Sequence, residues 1–254
     1  MAPLALYWSV MIACYLLASR LRRYADRLGF VNTLLSISVY ALVFVMGLRM
    51  GANREVTDNL GVIGVQALLV TALTMAFSML GAFAVRRALH IDRNALPRGA
   101  EKTAAEPSAA AHADASGSKT SLIIFAMVAG SLLAGVIYSL LSPMTLREGL
   151  AISAGFGWYT LAPSVISGAG HAVAGAVSFL HNVLRETLGI IFLPLAASKI
   201  GCIEAVTLPG TCAMDVCLPI VERSCSAETL PYSFTTGMAA CLFSALLVPL
   251  IMGA

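Results

Sequence analysis

The sequence predicts an all-α, polytopic integral membrane protein, a helical bundle of six spans plus two broken or re-entrant segments. Three observations point there. Hydrophobic residues make up 59% of the 254 residues and charged ones only 11%, against about 45–50% and about 25% in soluble domains. Mean hydropathy is +0.86. The charges crowd into a few short stretches, between which apolar runs reach the roughly 20 residues that a spanning helix needs.

Taken in order, the runs are Ala2–Ala18, Leu28–Leu48, Leu60–Val85, Ser121–Leu141, Ala172–Ser198 and Thr229–Met252. Two more, Leu150–Ile166 and Ile203–Val221, are apolar but interrupted. The first holds Gly155, Gly157 and Pro163, and the second Pro209, Gly210 and Pro219. Such breaks are tolerated at membrane depth only where protein or water lines the exposed backbone. Nothing basic precedes the first run, whereas Arg20, Arg22, Arg23 and Arg27 follow it. A signal peptide has the reverse order, so the run is predicted to be a retained span whose following loop is cytoplasmic. The loop from Arg86 to Lys119 holds six basic residues against Asp92, Glu101, Glu106 and Asp114, and is predicted to be cytoplasmic too. Both termini then lie outside, whether the interrupted segments both cross or both return.

The Ala- and Ser-rich stretch before Lys119 reads as a flexible tether. It divides the chain into a three-span half at 1–89, a cytoplasmic linker at 90–120 and a second membrane half at 121–254 that holds most of the intramembrane polar chemistry. A net charge of +3 without a basic, aromatic-interleaved patch excludes nucleic acid as a partner. Cys14 and Cys241 lie inside apolar runs, and Cys202, Cys212, Cys217 and Cys225 have no C-x-x-C spacing. The cysteines therefore read as packing residues, with no metal site, disulfide framework or cofactor.

Ionisable groups inside spans are expensive, about 2.5–3.5 kcal/mol each on insertion scales, and so mark function. Ala172–Ser198 carries His181, Asn182, Arg185 and Glu186 near its middle. With Ser178 and Gly189 they form a stripe at helical spacing, in which Asn182 is expected to reach Glu186 and His181 to reach Arg185. Asp215 lies in the second interrupted segment, among neighbours too apolar for a surface turn. There it can hold a cation beside unpaired backbone groups. Trp158 and Tyr159, in the first interrupted segment, offer either aromatic faces to an ammonium group or an interfacial belt. Glu204, near a helix end beside Lys199, reads as a solvated interface residue.

Gly155-Phe-Gly-Trp-Tyr-Thr-Leu161, Val183-Leu-Arg-Glu186 with Ile191-Phe-Leu-Pro194, Pro209-Gly-Thr-Cys-Ala-Met-Asp215 with Leu218-Pro-Ile-Val221, and Leu246-Leu-Val-Pro-Leu250 together resemble the lysine exporter family typified by LysO. The resemblance covers Ser121 to the C-terminus, and Val45-Met-Gly-Leu-Arg-Met-Gly51 extends it loosely. Ala213, Cys212 and Thr236-Gly237 depart from the family pattern. The resemblance implies export of L-lysine and its analogues across a bacterial inner membrane, with Glu186 and Asp215 as the two required intramembrane acids.

The expected activity is secondary export of lysine by alternating access, in exchange for protons, with both termini periplasmic. Glu186 is assigned the coupling proton, Asp215 the substrate ammonium and Arg185 its carboxylate, with Asn182, Trp158 and Tyr159 around them. Two other readings are an intramembrane hydrolase using Ser167 and His171 or an acid dyad, and a scaffold subunit in which Glu186 and Asp215 are replaceable.

Overall fold

A computed structural model of the protein describes residues 51–90, 109–225 and 229–253, together with isolated positions before residue 50. The chain divides into two units, 1–49 and 50–254, and every helix with described bounds lies in the second. The runs predicted at Ala2–Ala18 and Leu28–Leu48, and most of the linker, lie outside the described residues.

Among the described residues every regular element is a helix. A short α1 (Arg54–Asp58) starts at Asn53, whose side chain accepts from the Glu55 N–H. The long helices are α2 (Leu60–Ala88), α3 (Ala109–Leu141), α6 (Ala172–Lys199) and α9 (Leu230–Met252). Four stretches among the described residues, Leu60–Ala88, Thr120–Leu141, Ala172–Lys199 and Leu230–Met252, are long and apolar enough to cross a membrane. They coincide with four of the six continuous runs. Their outward faces are apolar, as at Leu68, Phe125, Leu140 and Leu250, which suits helices packed among lipid tails.

Helices α2 and α3 pack closely. A Cβ at Gly130 would collide with the Phe77 carbonyl, and one at Gly81 with that of Ala126. Small residues at such crossings let backbones approach, the usual substitute for a hydrophobic drive between helices in lipid.

Both interrupted segments are broken helices. The first comprises α4 (Leu146–Ser153) and α5 (Leu161–Gly168), and the second α7 (Cys202–Thr207), a 3-10 turn at Gly210–Met214 and α8 (Leu218–Ser224). Each folds back so that its ends meet. Glu148, at the start of the first, contacts His171 just beyond its end, Nδ1 to Oε1 at 2.8 Å. Thiols of Cys202 and Cys225, at the two ends of the second, hydrogen-bond each other. Helix α6 separates the two mouths. His171 immediately precedes it, and Cys202 lies shortly after its end. Its 28 residues measure about 42 Å at 1.5 Å per residue, more than the roughly 30 Å hydrocarbon core. The two hairpins therefore enter from opposite ends of the bundle.

The two larger of three apolar clusters among the described residues follow this division. One gathers Val70, Tyr138, Ile152, Phe156, Ile166 and Val177 around the first hairpin. The other gathers Met75, Leu193, Val206, Leu208, Cys212 and Val221 around the second. A capping box between Thr145 and Glu148 starts α4, satisfying backbone donors that the helix leaves open. Beside it Arg147 donates to the Ile251 carbonyl at 2.8 Å and to that of Met252, closing the C-terminus of α9 on the same end of the molecule.

Candidate transport site

The hairpin tips meet at a backbone contact, the Thr211 N–H donating to the Phe156 carbonyl at 2.8 Å. Both tips use a left-handed backbone, with φ of 48° at Phe156, 102° at Gly157 and 66° at Gly210. Phe156 is fully buried, so its aromatic ring anchors a conformation that an L-residue otherwise disfavours. A Cβ on Gly210 would run into the Phe156 carbonyl, which is why the tip is glycine.

Helix α6 holds both tips with adjacent turns of one face. Asn182 accepts from the Gly157 N–H at 2.8 Å and donates to the Ser178 carbonyl at 2.8 Å. One turn later Arg185 donates to the carbonyls of Leu208 at 3.1 Å and Thr207 at 3.4 Å. These carbonyls end α7 with no intrahelical partner, and a cation there answers both the missing hydrogen bonds and the helix dipole. One further turn on, Gly189 admits Pro209; a Cβ on it would stand 2.9 Å from that ring.

The buried side of α6 rests on α2. Arg185 donates to Ser78 Oγ at 3.1 Å, Ser78 pairs with Ser131 at 2.7 Å, and His181 Nδ1 meets Thr71 Oγ1 at 2.9 Å. Thr71, Thr74 and Ser78 are all fully buried. In the sequence this stripe shows only as the 71, 74, 78 spacing of one helix face.

Glu186 sits half-buried on the neighbouring face of α6 and Asp215 is exposed. The carboxyl of Glu186 takes a hydrogen bond from the Cys212 thiol and lies within electrostatic range of Asp215. Tyr159 stands within range of both acids. Asp215 Oδ1 accepts from the Val216 N–H at 2.6 Å, where the chain leaves the 3-10 turn. Glu186, Asp215 and Tyr159 thus converge, while Trp158 is part-buried next to them in sequence.

Three expectations about contacts do not hold. Asn182 is held by Gly157 and Ser178 rather than Glu186. His181 turns to Thr71 rather than Arg185, because both lie on the buried face and meet α2 first. Glu204 is fully buried and ion-paired with Arg86 of α2, not solvated; the hairpin tucks it against α2, whose arginine is too distant in sequence to suggest the contact. Among the described residues no group of His, Cys, Asp and Glu has the arrangement of a metal site.

The sequence that builds this architecture has relatives. A family profile described as lysine exporter LysO matches residues 10–97 and 102–252, nearly the whole chain. The chain belongs to the lysine exporter LysO family. A Haemophilus influenzae protein named "Putative lysine exporter" is 34% identical over 118 residues, which cover 46% of this chain and 60% of that one. The lysine exporter LysO of Escherichia coli is 26% identical over 131 residues, 52% of this chain and 42% of its own length. The match to this LysO-family chain thus spans about half the length of these curated relatives. No solved structure matches it.

Proposed function

We propose that the protein exports L-lysine and lysine analogues across a bacterial inner membrane, by alternating access and in exchange for protons. One observation carries the reading: Glu186 of α6 and Asp215 of a broken helix come within electrostatic range of each other beside the crossing of two hairpin tips. A substrate with two ammonium groups and one carboxylate needs acids for the former. Discontinuous helices at mid-membrane are a common way to build such a site.

In this reading Asp215 takes a substrate ammonium and Glu186 exchanges it for the coupling proton, with Tyr159 and Trp158 lining the approach. Asn182 and Arg185 act as positioning residues, since their polar atoms hold the two tips. Arg185 Nη1 has no hydrogen-bond partner and is the donor left for the substrate carboxylate when the tips move apart. Segments 1–89 and 121–254 are, in this reading, two membrane halves joined by the 90–120 linker, with the transport site in the second.

The hydrolase alternative has less support. Ser167 Oγ packs against Gly175, and His171 pairs with Glu148 rather than with Ser167.

Lysine efflux from loaded cells tests the proposal. Glu186→Gln and Asp215→Asn, which keep shape and remove charge, each abolish efflux at wild-type protein levels in the membrane. Normal efflux in both variants sinks the assignment and favours the scaffold reading.

A further inference from the structure

Each hairpin carries a carboxylate at the third residue of its first arm, Glu148 in Leu146-Arg-Glu and Glu204 in Cys202-Ile-Glu. A side chain from outside the hairpin meets each of them: His171, just before α6, by a hydrogen bond at the first mouth, and Arg86, near the end of α2, by an ion pair at the second. The hairpins, 146–168 and 202–224, are equal in length, and each is followed within a few residues by a spanning helix. The unit α4–α5–α6 is therefore repeated, inverted, as α7–α8–α9, with one carboxylate contact at each outer mouth.

We propose that Glu148–His171 and Arg86–Glu204 are the two latches of alternating access, each shutting one hairpin against the bundle and opened in turn. The proposal deepens the transport reading and rests on it.

Neither pair is explained by stability. A buried ion pair is often no better than a well-packed apolar pair, because desolvation offsets the Coulomb gain. Glu204 is fully buried, yet its Oε2 has no hydrogen-bond partner. Such an unmet acceptor is costly unless another state supplies water or a donor. At the other mouth burial pushes the Glu148 carboxyl up, but hydrogen bonds from Thr145 and His171 outweigh it and hold the carboxyl below the usual range. It is thus charged and able to pair. Arg147, the other cation beside it, is turned away to the end of α9.

The latches are unequal. Side chains of the Arg86–Glu204 pair are 11% and 0% exposed, and those of His171–Glu148 are 33% and 15% exposed. Water and salt screen the second pair more, so it is the weaker. In the resting protein the hairpin tips are consequently easier to reach from the His171 end.

The test reads accessibility, not flux. Cys212 lies at the second tip, nearly buried. It is kept as the single cysteine, the other five replaced by serine, and labelled with a membrane-impermeant maleimide in sealed vesicles of either orientation. Glu204→Gln is expected to raise labelling several-fold from the face carrying the Arg86–Lys119 loop and to lower it from the other. Glu148→Gln is expected to do the reverse, and the double exchange Arg86→Glu with Glu204→Arg to restore the parent pattern. Unchanged labelling, or an equal rise on both faces, overturns the latches. Absence of all three variants from the membrane also overturns them, since a contact broken in every cycle cannot be what holds the fold together. Labelling needs no lysine, so shifted sidedness without lysine efflux would refute the transport substrate and leave the latches standing.

Discussion

Arg185 brings a charge into the interior of the bundle and directs it at two backbone carbonyls and a serine. Its neighbour Glu186 points out of the same helix toward Asp215. Two adjacent charged residues on a helix diverge by about 100°, so Arg185 turns to the second hairpin's backbone while Glu186 turns toward Asp215. The sequence made the charges legible through their cost in a span, but not which of them would be structural. That depends on Leu208, whose carbonyl lies 23 residues away. Glu204 looks solvated in the sequence for the same reason, its cation being 118 residues distant. Two substitutions test the tip contacts. Asn182→Leu leaves the Gly157 N–H buried without an acceptor, at about 1–3 kcal/mol. Gly210→Ala adds about 1–2 kcal/mol of left-handed strain and a collision with the Phe156 carbonyl. Each is expected to lower the thermal midpoint of the purified protein, Gly210→Ala the more. An unchanged midpoint in both would mean the tips are not held as described.

The elements separate into four long helices and two broken ones, and here the sequence was informative. Uninterrupted apolar length marked α2, α3, α6 and α9, while Gly155, Gly157, Pro209 and Gly210 marked the breaks. Periodicity does not say that the two hairpins enter from opposite ends, because an apolar arm reads alike in either direction; the mouth contacts do. The basic loop between α2 and α3 gives the orientation to test. By the excess of Arg and Lys near helix ends the segment between α2 and α3 is predicted to be cytoplasmic; the second hairpin's mouth would then lie on that side and the first on the periplasmic side. A cysteine placed at position 110 of a cysteine-free protein is expected to resist impermeant reagents in intact cells and to react after permeabilisation. Ready labelling from outside would invert the whole assignment.

For the molecule as a whole, the proposed alternating access would use the inverted pair of hairpins, and the proposed exchange the two acids. If Glu186 must be protonated when the site faces outward, export weakens as external pH is raised at fixed internal pH and potential. Carboxylates that bind substrate and proton in turn enforce this coupling. In vesicles with the potential clamped, an imposed proton gradient is expected to drive lysine uphill; passive equilibration alone would make the protein a uniporter and leave Glu186 to substrate binding. The central claim is narrower: lysine crosses at the place where Glu186 and Asp215 converge. Exchange of labelled lysine in vesicles holding the purified protein tests it most directly. Wild-type protein is expected to exchange lysine, and Glu186→Gln and Asp215→Asn to fall to the rate of protein-free vesicles. No lysine exchange by the wild type, or equal exchange by all three proteins, would contradict the account.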